Sequence, residues 1–481
     1  MKVAHQVCRT FAFIAASLFA VTIASTAAVA QSHKPNVVYI MSDDQGWKDV
    51  GYHGSDIKTP NIDRLASGGA RLEQYYSQQI CTPSRAALMT GRYPFRYGLQ
   101  SFVIAAGHTY GLPLDEYLIS QTLHDAGYYT AIIGKWHLGH AAPKYWPRQR
   151  GFDYQYGPLI GEIDYFTHEQ HAGVIDWYNN NKLDKEAGYS TTLFGNDAVR
   201  LINEHDFSQP LYLYLAFNAP HTPYQAPQEY LDKYKEIADP ARRAYAAAIS
   251  AMDDQIGRVV EALEKKGVRG DTIIFFQSDN GGTRNAMFAG ERATSTIPCD
   301  NGPFRDGKGN LYEGGTRVIA LANWPGHIKA GTTVDGMMHV VDMYPTIAAI
   351  TGASTAKAKP LDGLNMWPTL SDGKPSPRTE IVYNIEPFRA AVREGDWKLV
   401  WKTPLPYSVE LYNIPQDPSE KNNLAAQNPE KVAAIQKRAD DLATQAAKPL
   451  FLVTEFQEIM KRIAVPAALP GEEFEFNEDN E

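Results

Sequence analysis

The chain has 481 residues, of which 44% are hydrophobic and 21% charged, and carries a formal net charge of -9. This length supports a large core and more than one domain, and the acidic balance excludes a nucleic-acid partner gripped by a global basic field. Only three cysteines occur, so a disulfide framework is not what holds the fold.

Residues 1–30 read as a secretory signal: Lys2 and Arg9 at the start, an apolar stretch from Phe11 to Val21, and a small-residue cleavage site at Ala28-Val29-Ala30. The alternative is an uncleaved N-terminal anchor. Cleavage removes Lys2 and Arg9 and takes the net charge from -9 to -11. A secreted or periplasmic location follows, and the absence of an Asn-x-Ser/Thr site fits a bacterial periplasmic protein. No later run is long and apolar enough to span a bilayer, so the protein is not expected to be membrane-embedded. Cys81 and Cys299 then remain, as two thiols or as one bridge.

Val37 to Met41 is the first of several short apolar runs rich in β-branched or aromatic residues; Tyr128 to Ile133, Leu211 to Phe217 and Thr272 to Gln277 follow. Such runs suit strands buried on both faces of a parallel sheet. Between the last two, Tyr245 to Leu263 reads as a helix with Met252, Ile256, Val260 and Leu263 on one face, ended near Gly267. Alternating strands and helices imply an α/β sandwich. Around 351–378 the composition turns to Gly, Pro, Ser, Ala and Lys, a domain boundary. Beyond it, Glu380 to Asn384, Trp397 to Trp401 and Glu410 to Tyr412 read as short antiparallel strands, Pro429 to Ala446 as a helix, and Gly471 to Glu481 as an acidic tail. The expected organisation is a signal over 1–30, a catalytic domain over 31–365 and a smaller C-terminal α+β subdomain over 366–481.

Each buried strand ends in polar residues: Ser42-Asp43-Asp44, Gly134-Lys135-Trp136-His137, Asn218-Ala219-Pro220-His221 and Ser278-Asp279-Asn280. In open α/β sheets ligands bind beyond the carboxyl ends of the strands, so four such clusters place one site. Asp43, Asp44, Asp279 and Asn280 offer oxygen, which suits a hard cation such as Ca²⁺ or Mg²⁺. Arg85, Lys135, His137 and His221 suit an oxyanion. Taken singly, an acid pair is a cap or turn, and either histidine a hydrogen-bonded structural residue. The remaining feature is Cys81-Thr82-Pro83-Ser84-Arg85. Pro83 in a first turn and a stop at Gly91 put Cys81 at a helix N-terminus, where backbone N–H groups favour anions; the plain reading is an inert buried thiol.

The run CTPSRAALMTGRYP resembles the signature of type I sulfatases. Pro35 to Asp44, Thr59 to Asp63, Gly134 to Gly139, His221 to Pro223, Ser278 to Gly282, Lys308 with Leu311 to Arg317, Val392 to Leu399 and Leu411 to Asn413 are similar to further blocks of that family. Phe95 to Gln100, Pro113 to Glu116, Gly161 to Phe166 and Ser376 to Glu380 resemble its N-acetylgalactosamine-4-sulfatase (arylsulfatase B) branch. The stretch Arg284 to Asn301 looks longer than in that branch, and the C-terminal tail differs.

The resemblance implies an alkaline-phosphatase-like sandwich with a large, mostly parallel sheet and a short antiparallel sheet in the C-terminal subdomain. It implies Ca²⁺, with Mg²⁺ as the alternative, on Asp43, Asp44, Cys81, Asp279 and Asn280. It also implies Cys81 oxidised to formylglycine by a formylglycine-generating enzyme. Its expected catalytic set is Cys81, Arg85, Lys135, His137, His221 and Lys308. In that scheme Arg85 holds the aldehyde hydrate and Asp279 accepts a proton as sulfur is attacked. Lys135 and Lys308 offset sulfate charge, His221 protonates the leaving alcohol, and His137 takes a proton when sulfate is expelled. The implied substrate is a sulfated glycan of 4-sulfated galactose or N-acetylgalactosamine type, or an aryl sulfate. Asp164, Tyr165, His168 and Trp177 either line a sugar subsite or are ordinary loop and core residues. The rival readings are a phosphonate or phosphate ester hydrolase of the same superfamily and a non-catalytic sulfated-glycan binder.

Overall fold

The computed structural model describes residues 34–170, 173–284, 297–404 and 406–464. The signal expected over 1–30, most of the Arg284 to Asn301 stretch and the acidic tail lie outside the described residues.

Ten strands form the central sheet in the order β11 (Thr332–Val334), β2 (Ala70–Leu72), β10 (Ala320–Asn323), β9 (Thr272–Ser278), β1 (Asn36–Ser42), β8 (Leu211–Ala216), β4 (Tyr129–Gly134), β5 (Tyr154–Gly157), β6 (Tyr178–Asn179) and β7 (Lys182–Leu183). From β9 to β5 neighbours run parallel. β10 is antiparallel to both its neighbours, and β6 and β7 add an antiparallel edge. The four expected apolar runs are thus β1, β4, β8 and β9. β1 is buried throughout, and its residues alternate between two cores, Val37, Tyr39 and Met41 to one and Val38 and Ile40 to the other. Period-2 projection from a strand covered on both faces gives this pattern.

One face carries α2 (Cys81–Thr90), α3 (Ile119–Asp125) and α8 (Met343–Thr351), while α10 (Pro429–Ala443) packs on the C-terminal sheet; the other face carries α1 (Pro60–Ser67), α4 (Ser190–Glu204) and α6 (Pro240–Lys265). α5 (Gln228–Leu231) packs against α6. α6 starts five residues before the expected Tyr245. Asp239 caps it by accepting from the Arg242 N–H at 2.8 Å, and Pro240 follows at the first helical position, a start set by capping chemistry and not by apolar period. A two-strand ladder, β3 (Tyr75–Tyr76) with β12 (Met338–His339), lies apart from the main sheet.

The C-terminal sheet is an antiparallel meander of β13 (Glu380–Ile385), β14 (Arg389–Glu394), β15 (Trp397–Lys402) and β16 (Ser408–Asn413). Three were expected; β14 was not, because Arg389, Arg393 and Glu394 break its apolar run. α10 ends three residues before the expected Ala446, and α11 (Leu450–Ala464) follows it. α7 (Glu313–Thr316) and α9 (Trp367–Asp372) are single turns. α9 lies within 351–378, and Arg378 at its end is buried on Asp342, with Nε 2.7 Å from Oδ2. Asp342 also accepts from the N–H groups of His339 and Leu364, both at 2.8 Å. No helix among the described residues is long and apolar enough to cross a membrane.

His339, beside this pair, is fully buried, and its Nδ1 accepts from the Val341 N–H at 3.2 Å. Burial, with the Arg378 charge, holds its imidazole well below the ordinary value. The unfolded chain therefore protonates His339 near its ordinary pKa of about 6.5 while the folded chain does not, so stability is full above that pH and is lost as pH falls through it. Between pH 6 and pH 5 the wild type should lose about 1 kcal/mol more than His339→Gln, read from urea midpoints; equal losses would contradict the assignment.

Candidate active site

The parallel registers that build the sheet also assemble the site. Ser42 pairs with Ser278, Met41 with Ala216, and Gly134 with Ala216, so the residues that follow all emerge at one edge. Backbone bonds extend the ladder past the strands: Asp279 N–H to Ser42 O, Asp43 N–H to Ala219 O, and Lys135 N–H to Ala216 O, at 3.0, 3.0 and 2.8 Å. α2 starts at Cys81 and stops at Gly91, whose φ is 65°. Ser84 Oγ donates to Gln78 O and Ile80 O, at 3.1 and 3.0 Å, and fixes the turn that presents Cys81.

Around Cys81 the side chains converge. Its Sγ donates to Asp43 Oδ1 at 3.5 Å. Lys135 Nζ lies 2.6 Å from Asp43 Oδ2, and Lys308 Nζ 2.8 Å from Asp44 Oδ2. Arg85 holds Asp279 Oδ2 through Nε and Nη2, at 3.2 and 2.9 Å. His221 Nε2 accepts from Lys308 Nζ at 2.9 Å, while its Nδ1–H donates to Thr222 O at 2.7 Å. Glu162 lies 3.8 Å from that Nδ1. Asp43, Asp44, Cys81, Arg85, Lys135, His221, Asp279 and Lys308 thus meet at one place, and the Lys135 and Arg85 charges reach His137.

Burial and charge set their protonation. Burial raises the Asp44 carboxyl, but Lys308 and His221 beside it overcome this and hold it at about 2. Asp279 goes the other way: burial and then the Asp43 charge push it up to about 6 against the pull of Arg85. Burial, followed by Lys308, takes His221 down to about 4, so it is neutral at pH 7. His137 falls well below its ordinary value through burial and then Lys135 and Arg85, and its Nδ1 has no hydrogen-bond partner. Burial also pushes the Cys81 thiol well above its ordinary value. A thiolate is the reactive form of cysteine, so Cys81 as encoded is not an activated nucleophile.

Asp43, Asp44, Cys81 and His221 each offer a ligand atom, all within 4.8 Å of one another, so this buried cluster can hold a metal ion. Asn280 Oδ1 is buried with no partner, while its Nδ2 donates to Asp44 Oδ1 at 2.7 Å. An orphaned carbonyl beside two carboxylates fits a hard cation. Asp44 and His137 have φ of 64° and 58°, a region sparse for non-glycine residues and concentrated at functional sites.

Sequence reasoning missed the supports. Tyr165 OH donates to Asn218 O and His221 O, at 2.7 and 2.8 Å. His168 is buried and stacks on buried Trp177, with ring centroids 3.9 Å apart. Asp164 accepts from the Phe166 and Thr167 N–H groups, both at 2.9 Å. Tyr165, His168 and Trp177 are therefore buried scaffold, while Asp164 is half-buried on the loop. Thr82 Oγ1 donates to His137 O at 3.0 Å, a role hidden inside the cysteine motif.

Comparison with known proteins gives a consistent picture. The model of the Sulfatase family matches residues 35–353, and that of the N-sulphoglucosamine sulphohydrolase C-terminal family matches 304–448. The chain is 38% identical to mouse arylsulfatase J over 395 residues, which is 80% of this chain and 64% of that protein. It is 34% identical to human N-acetylgalactosamine-6-sulfatase over 377 residues, 74% of this chain and 70% of that one. Among solved structures, Ps i-CgsB in complex with k-i-k-neocarrahexaose superposes with a TM-score of 0.80 at 33% identity, covering 90% of this chain and 98% of that one.

A Cβ on Gly161 would lie 2.3 Å from His137 Cε1, so only glycine leaves room for the imidazole. Gly161→Ala should shift the His137 ring resonances in NMR and cost about 1–3 kcal/mol of stability as an overpacking change; unshifted resonances would show that the two do not meet.

Proposed function

Because the chain belongs to the sulfatase family, we propose that it hydrolyses sulfate esters of a glycan, with residue 81 as the seat of the nucleophile. The observation that carries this reading is the buried meeting of Cys81 with three carboxylates and three cations at the carboxyl edge of the sheet. The raised Cys81 thiol fits a residue that works only after oxidation. Formylglycine at position 81, made by a formylglycine-generating enzyme, supplies an aldehyde hydrate with one hydroxyl to attack sulfur and a second to expel sulfate. A thiol or serine hydroxyl has no second hydroxyl for that last step. Ca²⁺, or Mg²⁺ in its place, held by Asp43, Asp44, residue 81, Asp279 and Asn280, supplies Lewis-acid charge.

The remaining chemistry belongs to side chains. Asp43, Asp44 and Asp279 balance Arg85, Lys135 and Lys308, so a bound dication leaves the site net positive and suited to a sulfate. Lys135 and Lys308 offset charge on the sulfate oxygens in the transition state. Arg85 orients Asp279 by two donors, and this places the Asp279 carboxylate to accept a proton as sulfur is attacked. Neutral His221 takes its hydrogen bond from Lys308, so the proton for the leaving alcohol comes from the Lys308–His221 pair and not from His221 alone. Neutral His137, with Nδ1 unpartnered, takes a proton when sulfate leaves.

The substrate we infer is a sulfated galactose or N-acetylgalactosamine unit. The arylsulfatase B-like blocks favour a 4-sulfate. Human N-acetylgalactosamine-6-sulfatase and the neocarrahexaose complex of Ps i-CgsB support the sugar type and leave the sulfate position to experiment. We read residues 1–30 as the secretory signal of a secreted or periplasmic enzyme, 31–365 as its catalytic domain and 366–481 as the C-terminal subdomain.

Protein made with a formylglycine-generating partner should release sulfate from an oligosaccharide ending in N-acetylgalactosamine 4-sulfate, or from a carrageenan oligosaccharide. Cys81→Ala should release none; substantial residual activity would refute the scheme. Lys308→Ala should lower kcat by about 10²–10³, the usual loss for one transition-state donor, and a near-normal rate would show that Lys308 is not one.

A further inference from the structure

The segment carrying Lys308 is wedged between the metal-side loop and the C-terminal sheet. On one side its backbone is tied to the site: Lys308 N–H donates to Gly282 O, Gly309 N–H to Gln79 O, and Gly281 N–H to Gly315 O, at 3.1, 2.7 and 3.0 Å. The approach is so close that a Cβ on Gly281 would lie 1.8 Å from Gly314 O. On the other side the segment ends in the single turn α7, opened by Glu313.

Glu313 is fully buried, and all its partners are polar. Oε1 accepts from Lys398 Nζ at 3.0 Å and Tyr383 OH at 2.8 Å; Oε2 accepts from Tyr76 OH at 2.8 Å and faces Arg317 at 3.7 Å. Lys398, on β15, also reaches Glu420 Oε1 at 2.9 Å, and Glu420 Oε2 accepts the Glu313 N–H at 2.7 Å. The side chains of Glu313, Lys398 and Glu420 have no solvent exposure. Arg305, at the head of the segment, is tied to the same sheet through Glu410 and Tyr412, at 3.2 and 2.9 Å.

A buried ion triad is a poor way to add stability, because desolvation offsets the attraction; apolar side chains of similar volume do as well or better. What it gives is a fixed distance and direction. Here that geometry is imposed five residues from Lys308, whose Nζ must serve Asp44 and His221 together.

We propose that Lys398, clamped between Glu313 and Glu420, is a positioning residue that acts on the reaction through Lys308, so that the C-terminal sheet sets the geometry of the sulfate site. The inference rests on the sulfatase reading above. It is tested by a double-mutant cycle on formylglycine-bearing protein, with whichever of the two oligosaccharides above or an aryl sulfate the wild type cleaves, comparing wild type, Lys398→Met, Lys308→Ala and the double variant. Lys398→Met should lower kcat at least about tenfold while KM moves less than about threefold, and should cost less than about twofold more in the Lys308→Ala background, as coupled residues do. Equal losses in both backgrounds, or an unchanged kcat in Lys398→Met, would overturn the clamp while wild-type activity kept the sulfatase reading. A wild type without sulfate release would overturn that reading and the clamp with it. If Lys398→Met does not fold, Glu420→Ala takes its place in the cycle, since it removes one end of the clamp and leaves the Lys398–Glu313 pair. A tenfold loss of kcat that vanishes in the Lys308→Ala background then supports the clamp, and equal losses or an unchanged kcat overturn it.

Discussion

Three carboxylates and three cations stand out of water at one edge of the central sheet. Asp43, Asp44 and Asp279 face Arg85, Lys135 and Lys308, with side chains no more than 4% exposed. Isolated, any one of these charges would be very costly there. Mutual neutralisation makes the group tolerable, and only if every member is placed within hydrogen-bond reach of its partner. That requirement explains why five of the six come from the ends of parallel strands and from α2, the most rigid supports available, and why the segment that carries Lys308 is itself tied down on both sides. It also explains why Asp44 adopts a backbone conformation that its residue type rarely uses.

Much of this was legible in the sequence, for a physical reason. Continuous apolar runs such as Val37 to Met41 and Thr272 to Gln277 mark strands covered on both faces, and the polar residues that follow them mark the edge where a ligand binds. Asp43, Lys135, His221 and Asp279 could be placed from pattern alone, and the Cys81 motif joined them by resemblance. What pattern did not reveal was long-range pairing. That Arg85 would clasp Asp279, or that His221 would be neutral under Lys308, depends on three-dimensional distance and burial. β14 was hidden because its outward residues are charged, and α6 began earlier than its apolar period because a cap fixed its start. Tyr165, His168 and Trp177 looked like subsite candidates and are core, since aromatic residues in a loop sequence give no hint of which way they pack.

The C-terminal sheet has a matching logic. Glu313 and Lys398 both fell within sequence blocks that resemble the sulfatase family, yet nothing in their spacing joined them. The fold brings them together at the end of the segment that delivers Lys308, so the smaller sheet holds that segment through buried charge.

The most direct test compares hydrolysis of an aryl sulfate and the matching aryl phosphate by one preparation, with the mass of the peptide containing residue 81 measured alongside. The account predicts turnover of the sulfate far above that of the phosphate, in proportion to the fraction of residue 81 carrying an aldehyde in place of the thiol. Faster turnover of the phosphate, or full sulfatase activity in protein whose residue 81 is wholly a thiol, would contradict it.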